Sequence, residues 1–430
     1  MRESLVVAFA LLALSASADR PRLVCRADHT NALYRCGETA RFSAFLAGDG
    51  GVPLTNGHVK VSLDNCDETR PLFSMQADLS VTNAFELAGT LETPGFLRMT
   101  VDGLEGGRQV FAVGFEPERI RVAARLPDDF DAYWDDAVKK LDREVPIDVR
   151  QERVPAKCNA RRDYYNVDFA TFGRRVYGWL SVPRGGGKRP LRVEVSCAGT
   201  GLRGTGGEGG DAVCLTFGVH DFRSVEDDAE QKRLYDDQDR RWGGRYGVPR
   251  YCQAGIGVSR EAYFYYSVIL GISRAVDWAV AQPYVDASRV RYSGISQGGG
   301  FGLYLCGLNR HFSSGVFFVP ALTDILGYQA GRKSGWPTLI EVQPQGARET
   351  AERWAPYFEC AHFARRITCP TRTFIGFADT TCPPSAVYAA YNAIPVRTDK
   401  AIVHGIGRGH LGGKEWFGRL GAWQRAVDRK

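Results

Sequence analysis

Between positions 289 and 308 the chain reads RVRYSGISQGGGFGLYLCGL, a stretch that leaves the backbone few choices. Val290 and Tyr292 alternate as the end of a buried strand does, while Phe301, Leu303, Leu305 and Leu308 follow a helical apolar pattern. Gly294-Ile295-Ser296-Gln297-Gly298 is all that remains for the turn between them. So sharp a strand-to-helix turn strains its central residue, and a side chain at Gly294 or Gly298 would collide with the neighbouring strand or helix. The strain lifts the Ser296 hydroxyl above the sheet edge. It also leaves the backbone N–H of Gln297 facing the place where an oxyanion would form. A glycine-rich turn whose serine only caps the helix would read the same over this stretch. The two readings separate downstream, where a nucleophile needs an acid and then a histidine.

Both residue types follow. The run TRTFIGFAD leads apolar into Asp379, and Thr380-Thr381-Cys382-Pro383-Pro384 then breaks the strand. An acid at the C-terminal end of a late strand is placed to orient an imidazole. Asp324, after SGVFFVPALTD, is the competing acid. Of the seven histidines only His404 and His410 lie beyond Asp379, and His404 falls inside an apolar strand run. His410 follows Gly405-Ile406-Gly407-Arg408-Gly409, a loop able to swing it over Ser296. Ser296, Asp379, His410 is the chain order of the triad in α/β-hydrolases. The second oxyanion donor is expected in the glycine-rich turn of VEVSCAGTGLRGTGG, at Ala198, with Thr200 the next choice.

Around this centre the chain falls into three parts. Arg2, the apolar run from Leu5 to Leu14 and the small residues Ala16-Ser17-Ala18 read as a secretory signal peptide over 1–18. No other stretch approaches transmembrane length, so no transmembrane anchor is expected and the mature protein is read as secreted or periplasmic. Residues 19–117 carry short alternating runs (ALYRC, ARFSAFLAG, HVKVSLDN, AFELAGTL, FLRMTVDG, QVFAVGFE) punctuated by turn residues, which predicts a small all-β immunoglobulin-like sandwich. From 118 to 430 an amphipathic helix over LPDDFDAYWDDAVKKLDREV is followed by strands alternating with helices at 261–281, 297–308, 385–393 and 413–427. That pattern predicts an α/β-hydrolase fold, a largely parallel sheet with helices on both faces. The polar stretch after AVCLTFGVH reads as a long loop, and Trp242, Tyr246 and Tyr251 in it either line a substrate pocket or pin the loop.

The net charge of +6 is spread along the chain without a basic stripe, which argues against nucleic-acid binding. Eleven cysteines suit an oxidising compartment, and Cys25 with Cys36, or Cys360 with Cys369, are candidate pairs. Cys197, Cys214 and Cys306 read as buried small hydrophobes. No CxxC pair or Cys/His cluster has zinc spacing, so no metal is expected.

With these residues in hand, the hydrolase part resembles carbohydrate esterase family seven, the acetyl xylan esterases and cephalosporin-C deacetylases. The resemblance rests on FDAYWDDAV, VYGWLSVP, SGISQGGG, FADTTCPPSAVYAAYN and Gly409-His410, which span residues 128 to 412. It implies Ser296 as nucleophile, Asp379 as acid, His410 as base, and Gln297 and Ala198 as oxyanion donors, with no cofactor. Two positions depart from the family pattern: Ser196-Cys197 replaces a His-Gly pair, and Leu411 stands where a glutamate often follows the histidine. The function implied is an exported serine esterase removing O-acetyl groups from xylan, xylo-oligosaccharides or related sugars. The alternatives are a broader short-acyl esterase or peptidase on the same triad, or a non-catalytic glycan-binding protein. Compact members of the family form hexamers, so homo-oligomeric assembly is an open expectation for this longer chain.

Overall fold

The structure is a computed structural model. It describes residues 22–48, 51–66, 72–103, 107–195, 210–225 and 227–410, together with 416, 423 and 427. The signal-peptide segment lies outside the described residues, as does most of the helix expected at 413–427.

Among the described residues, eight strands build the N-terminal part: β1 (Arg22–Ala27), β2 (Leu33–Tyr34), β3 (Ala40–Ala47), β4 (His58–Asn65), β5 (Phe73–Asp78), β6 (Ala84–Gly89), β7 (Gly95–Asp102) and β8 (Gln109–Phe115). They form a three-stranded sheet, β1-β3-β6, and a five-stranded sheet, β2-β8-β7-β4-β5. In immunoglobulin lettering these are A-B-E and A′-G-F-C-C′, and β2 pairs parallel with β8 while the other neighbours run antiparallel. The period-two pattern explains the layering. Phe42, Ala44 and Leu46 of β3 point inward, as do Val59, Val61 and Leu63 of β4. β1 and β5 were not legible in the sequence; each lies at a sheet edge and is half exposed, so its apolar alternation is weak.

The described residues of the C-terminal part form nine strands: β9 (Val149–Arg153), β10 (Arg162–Thr171), β11 (Arg174–Pro183), β12 (Arg189–Val195), β13 (Val213–Phe217), β14 (Val285–Ile295), β15 (Phe312–Phe318), β16 (Thr371–Gly376) and β17 (Lys400–Gly405). Their order is β17-β16-β15-β14-β12-β13-β11-β10-β9. The strands from β13 to β17 pair parallel, and β9, β10 and β11 add an antiparallel edge. Parallel strands need crossovers, and the helices Phe264–Val280, Gln297–Leu308 and Pro384–Ala393 supply them. Among the six parallel strands, β12 to β17, the order changes direction between β12 and β14, which opens a crevice at their carboxyl ends. This is the α/β-hydrolase fold, and the turn at Ser296 sits at that end.

The polar stretch after β13 is not a loop. Asp228–Gln238 is a helix whose cap, Asp227, accepts the N–H of Glu230 at 2.7 Å, and further helical turns run on to Tyr246. One apolar core runs without interruption from the sandwich into the hydrolase sheet.

Candidate active site

The turn after β14 has the conformation its sequence demands. Ser296 has φ 55° and ψ −117°, a strained region for a residue with a Cβ. Three backbone bonds hold it there: its N–H donates to Phe318 O at 2.8 Å, and its carbonyl accepts from Gly300 and Ala321, each at 3.0 Å. A Cβ on Gly298 would lie 2.0 Å from the carbonyl oxygen of Val195, and one on Gly294 would lie 2.5 Å from Gly298 O. Neighbouring strand and helix therefore pass too close for any side chain. Replacing Gly298 with alanine is expected to push the elbow off β12 and lower kcat by about tenfold or more. Steady-state kinetics beside a thermal melt would check this; a folded Gly298→Ala protein with full activity would contradict it.

The structure brings the three expected residues together. His410 Nε2 lies 2.9 Å from Ser296 Oγ, and His410 Nδ1 lies 2.8 Å from Asp379 Oδ2. The other carboxylate oxygen, Oδ1, accepts the backbone N–H groups of Thr381 (2.8 Å) and Cys382 (2.9 Å). Asp379 is thus fixed in rotation by three hydrogen bonds and its side chain is fully buried, while His410 keeps one face open. The two loops that carry acid and base are also tied to each other. Ala378 N–H donates to Arg408 O at 2.9 Å, and Phe377 N–H to Gly405 O at 3.1 Å. A Cβ on Gly376 would meet Gly409 O at 2.4 Å, so glycine is what lets the histidine loop lie against β16.

Gln297 opens the elbow helix, where the first N–H groups have no partner inside the helix. Its side-chain amide donates to the buried hydroxyl of Tyr265, and Tyr265 packs edge-on against Phe301 of the elbow helix. Sequence reading missed Tyr265, because nothing local distinguishes it from the neighbouring core tyrosines. Ala198 and Thr200 lie outside the described residues. β12, which leads into their segment, ends at Val195, beside Gly298.

Asp324, the competing acid, is engaged elsewhere. It is fully buried at the turn after β15, where Oδ1 accepts the N–H of Ala123 and Oδ2 accepts Arg332 Nε, both at 2.8 Å. Beside it, the carboxylate of Glu359 accepts the N–H groups of Asp324 (2.9 Å), Ile325 (2.7 Å) and Ala361 (3.0 Å). Burial, reinforced by the charge of Asp324, raises the Glu359 pKa from 4.5 to about 7 despite those bonds. An acid whose folded pKa exceeds its unfolded value stabilises the fold fully below the unfolded pKa. That contribution falls as pH rises from 4.5 and is gone above about 7. Melting temperature is therefore expected to decline across this window, with a shallower slope in Glu359→Gln. Parallel profiles for the two proteins would rule Glu359 out as the cause.

Trp242 donates its indole N–H to Asp221 at 2.7 Å, meets Phe264 edge-on and lies under the guanidinium of Arg174. Tyr251 is buried against Phe264, and the ring of Tyr246 carries the guanidinium of Arg245. The contacts of Trp242 and Tyr251 with Phe264 pin the helical excursion to the head of the helix Phe264–Val280. The expected core thiols Cys214 and Cys306 are buried and Cys197 lies outside the described residues; Cys25, Cys36, Cys360 and Cys369, the candidate pairs, are unbridged thiols. Among the described residues, one group could bring three metal-ligand atoms within 4.8 Å: Asp379, Cys382 and His410. It coincides with the acid and base, whose polar atoms already serve the bonds above.

Residues 116–414 match the family described as acetyl xylan esterase (AXE1). The chain belongs to that family. The acetyl xylan esterase family consists of carboxylic ester hydrolases, and the triad geometry lies within the matched residues. The chain is 28% identical over 384 residues to the acetyl esterase Axe7A of Xylanibacter ruminicola, spanning 87% of this chain and 84% of that protein. Among solved structures it is similar to the acetyl xylan esterase from Paenibacillus sp. R4, with 25% identity and a TM-score of 0.60 over 72% of this chain and 98% of the other. Acetyl xylan esterase 1 from Thermoanaerobacterium sp. JW/SL YS485 shares the fold, at 19% identity and a TM-score of 0.59 over 73% and 98%. The family match begins at residue 116, after the last strand of the sandwich.

Proposed function

We propose that this acetyl xylan esterase family member is an exported serine esterase that removes O-acetyl groups from xylan, xylo-oligosaccharides or related acetylated sugars. The observation that carries the reading is the relay from Ser296 Oγ through His410 to Asp379, with contacts of 2.9 and 2.8 Å. His410 Nε2 takes the hydroxyl proton as Ser296 attacks the ester carbonyl, and Asp379 steadies the imidazolium that forms. The N–H of Gln297, with that of Ala198 or Thr200 as the second donor, stabilises the oxyanion. His410 then returns the proton to the departing sugar hydroxyl. Water attacks the acetyl-serine with His410 as base, releasing acetate and free enzyme. None of these steps calls on a cofactor.

The reading divides the chain into a leader at 1–18, a sandwich domain at 19–117 and an esterase domain at 118–430. N-terminal sequencing of the exported protein tests the leader; a mature chain still beginning at Met1 would remove it. For the activity, acetate release from acetylated xylo-oligosaccharides is measured with wild type and Ser296→Ala. Release that disappears in the variant supports the proposal. Turnover of a simple aryl acetate without release from the oligosaccharide would keep the serine mechanism and discard the glycan.

A further inference from the structure

The sandwich lies outside the family match, and the two solved esterases, covered almost end to end, account for under three quarters of this chain. Yet two of its aromatic rings reach the segments that carry the acid and the base. Phe96 of β7 is fully buried and meets Phe377 edge-on at 5.1 Å, two residues before Asp379. It also lies 5.8 Å from Tyr388, whose hydroxyl is 2.6 Å from His404 Nε2 on the strand leading to His410. Phe111 of β8 lies against Gly407, three residues before His410, and a Cβ on that glycine would be 3.4 Å from the ring. Gly407 has φ +66°, so the loop bends at the residue Phe111 covers. The acid and base loops, joined by the Ala378–Arg408 and Phe377–Gly405 bonds, are one unit seated on two phenylalanines of another domain. The linker adds a tether: Asn392 Nδ2, on the helix after Asp379, donates to Pro117 O and Ile120 O, both at 2.9 Å.

We propose that the sandwich is a working part of the esterase, with Phe96 and Phe111 as positioning residues for Asp379 and His410. The inference rests on the triad reading above. It follows from the tolerance of the site: a shift of about 1 Å in base or acid costs on the order of a hundredfold in rate, and these rings pack against the segments that carry both. Neither ring touches substrate, so truncating them lowers kcat and leaves KM.

The test uses the full chain with Phe111→Ala, Phe96→Ala and the milder Phe111→Leu, beside Leu46→Ala. Leu46 is equally buried but belongs to β3, in the other sheet of the sandwich. Each protein is assayed for kcat and KM on an aryl acetate and for its reaction with a fluorophosphonate. The endpoint of phosphonylation counts folded enzyme, and its rate reads the relay. The alanine variants are expected to lose about tenfold or more in kcat and in phosphonylation rate, with full endpoints and KM within about twofold. Phe111→Leu is expected to fall between them and wild type, and Leu46→Ala to keep wild-type rates while melting earlier. Wild-type rates in folded Phe111→Ala and Phe96→Ala overturn the proposal, as does an equal loss in Leu46→Ala. If the alanine variants do not fold, Phe111→Leu decides by the same two readouts. Activity surviving in Ser296→Ala would instead remove the triad reading beneath it.

Discussion

Replacing Ser296 with alanine is expected to lower kcat on any ester substrate by roughly 10⁴- to 10⁶-fold while leaving KM and the fold almost untouched. The size follows from the geometry. His410 Nε2 lies 2.9 Å from Ser296 Oγ, the hydroxyl whose proton it takes in the proposed mechanism, and without that oxygen there is no atom to form the acetyl-enzyme. The residual rate comes from water attacking a carbonyl still polarised by the oxyanion donors. Ser296 makes its structural bonds through its backbone, to Phe318, Gly300 and Ala321, so the variant keeps the elbow. Mass spectrometry of enzyme quenched during turnover should find an acetyl group on Ser296 in wild type and none in the variant. A variant retaining activity within about tenfold of wild type would show that another group is the nucleophile.

Asp379→Asn should lose about 10⁴-fold in kcat, for a different reason. The oxygen at Oδ1 is claimed by two backbone N–H groups, so an asparagine must keep its carbonyl there. Its NH₂ then faces His410 Nδ1 where Oδ2 stood, and two donors cannot share that contact. The imidazole therefore takes the tautomer with the proton on Nε2, which points at Ser296 and cannot accept its hydrogen. Melting temperature should change little, since both backbone bonds survive. Asp379→Ala, which leaves those two N–H groups unpaired and buried, should melt lower while losing no more activity. Equal melting temperatures for the two variants would contradict this account of the carboxylate.

The arrangement of Ser296, His410 and Asp379 was legible because its constraints are local. Gly294, Ser296 and Gly298 record a turn that tolerates no other spacing, and Asp379 and His410 each follow an apolar strand run at the sheet's carboxyl edge. Most strands with a buried face could be read for the same reason, but not β10, whose buried Tyr164, Val167 and Phe169 stand among Arg162, Asp163, Asn166 and Asp168. β9 could not: four of its five residues are exposed, and their charges hide the alternation. The helix Asp228–Gln238 was masked by polarity, although Asp227 and Glu230 stand at the spacing of a helix cap. Phe96 and Phe111 look like any other inward residues of a sandwich. Their partners, Phe377 and Gly407, lie hundreds of positions away, and only the tertiary structure pairs them.

The strands β14, β15, β16 and β17 add to one edge of the sheet in the order in which they are made. The serine leaves the ribosome with the first of them, and the histidine follows only after the last. On the proposed reading, a chain still emerging from synthesis therefore holds a nucleophile with nothing to activate it. Its chemistry begins when the outermost strand docks, so the order of translation itself keeps the unfinished enzyme silent.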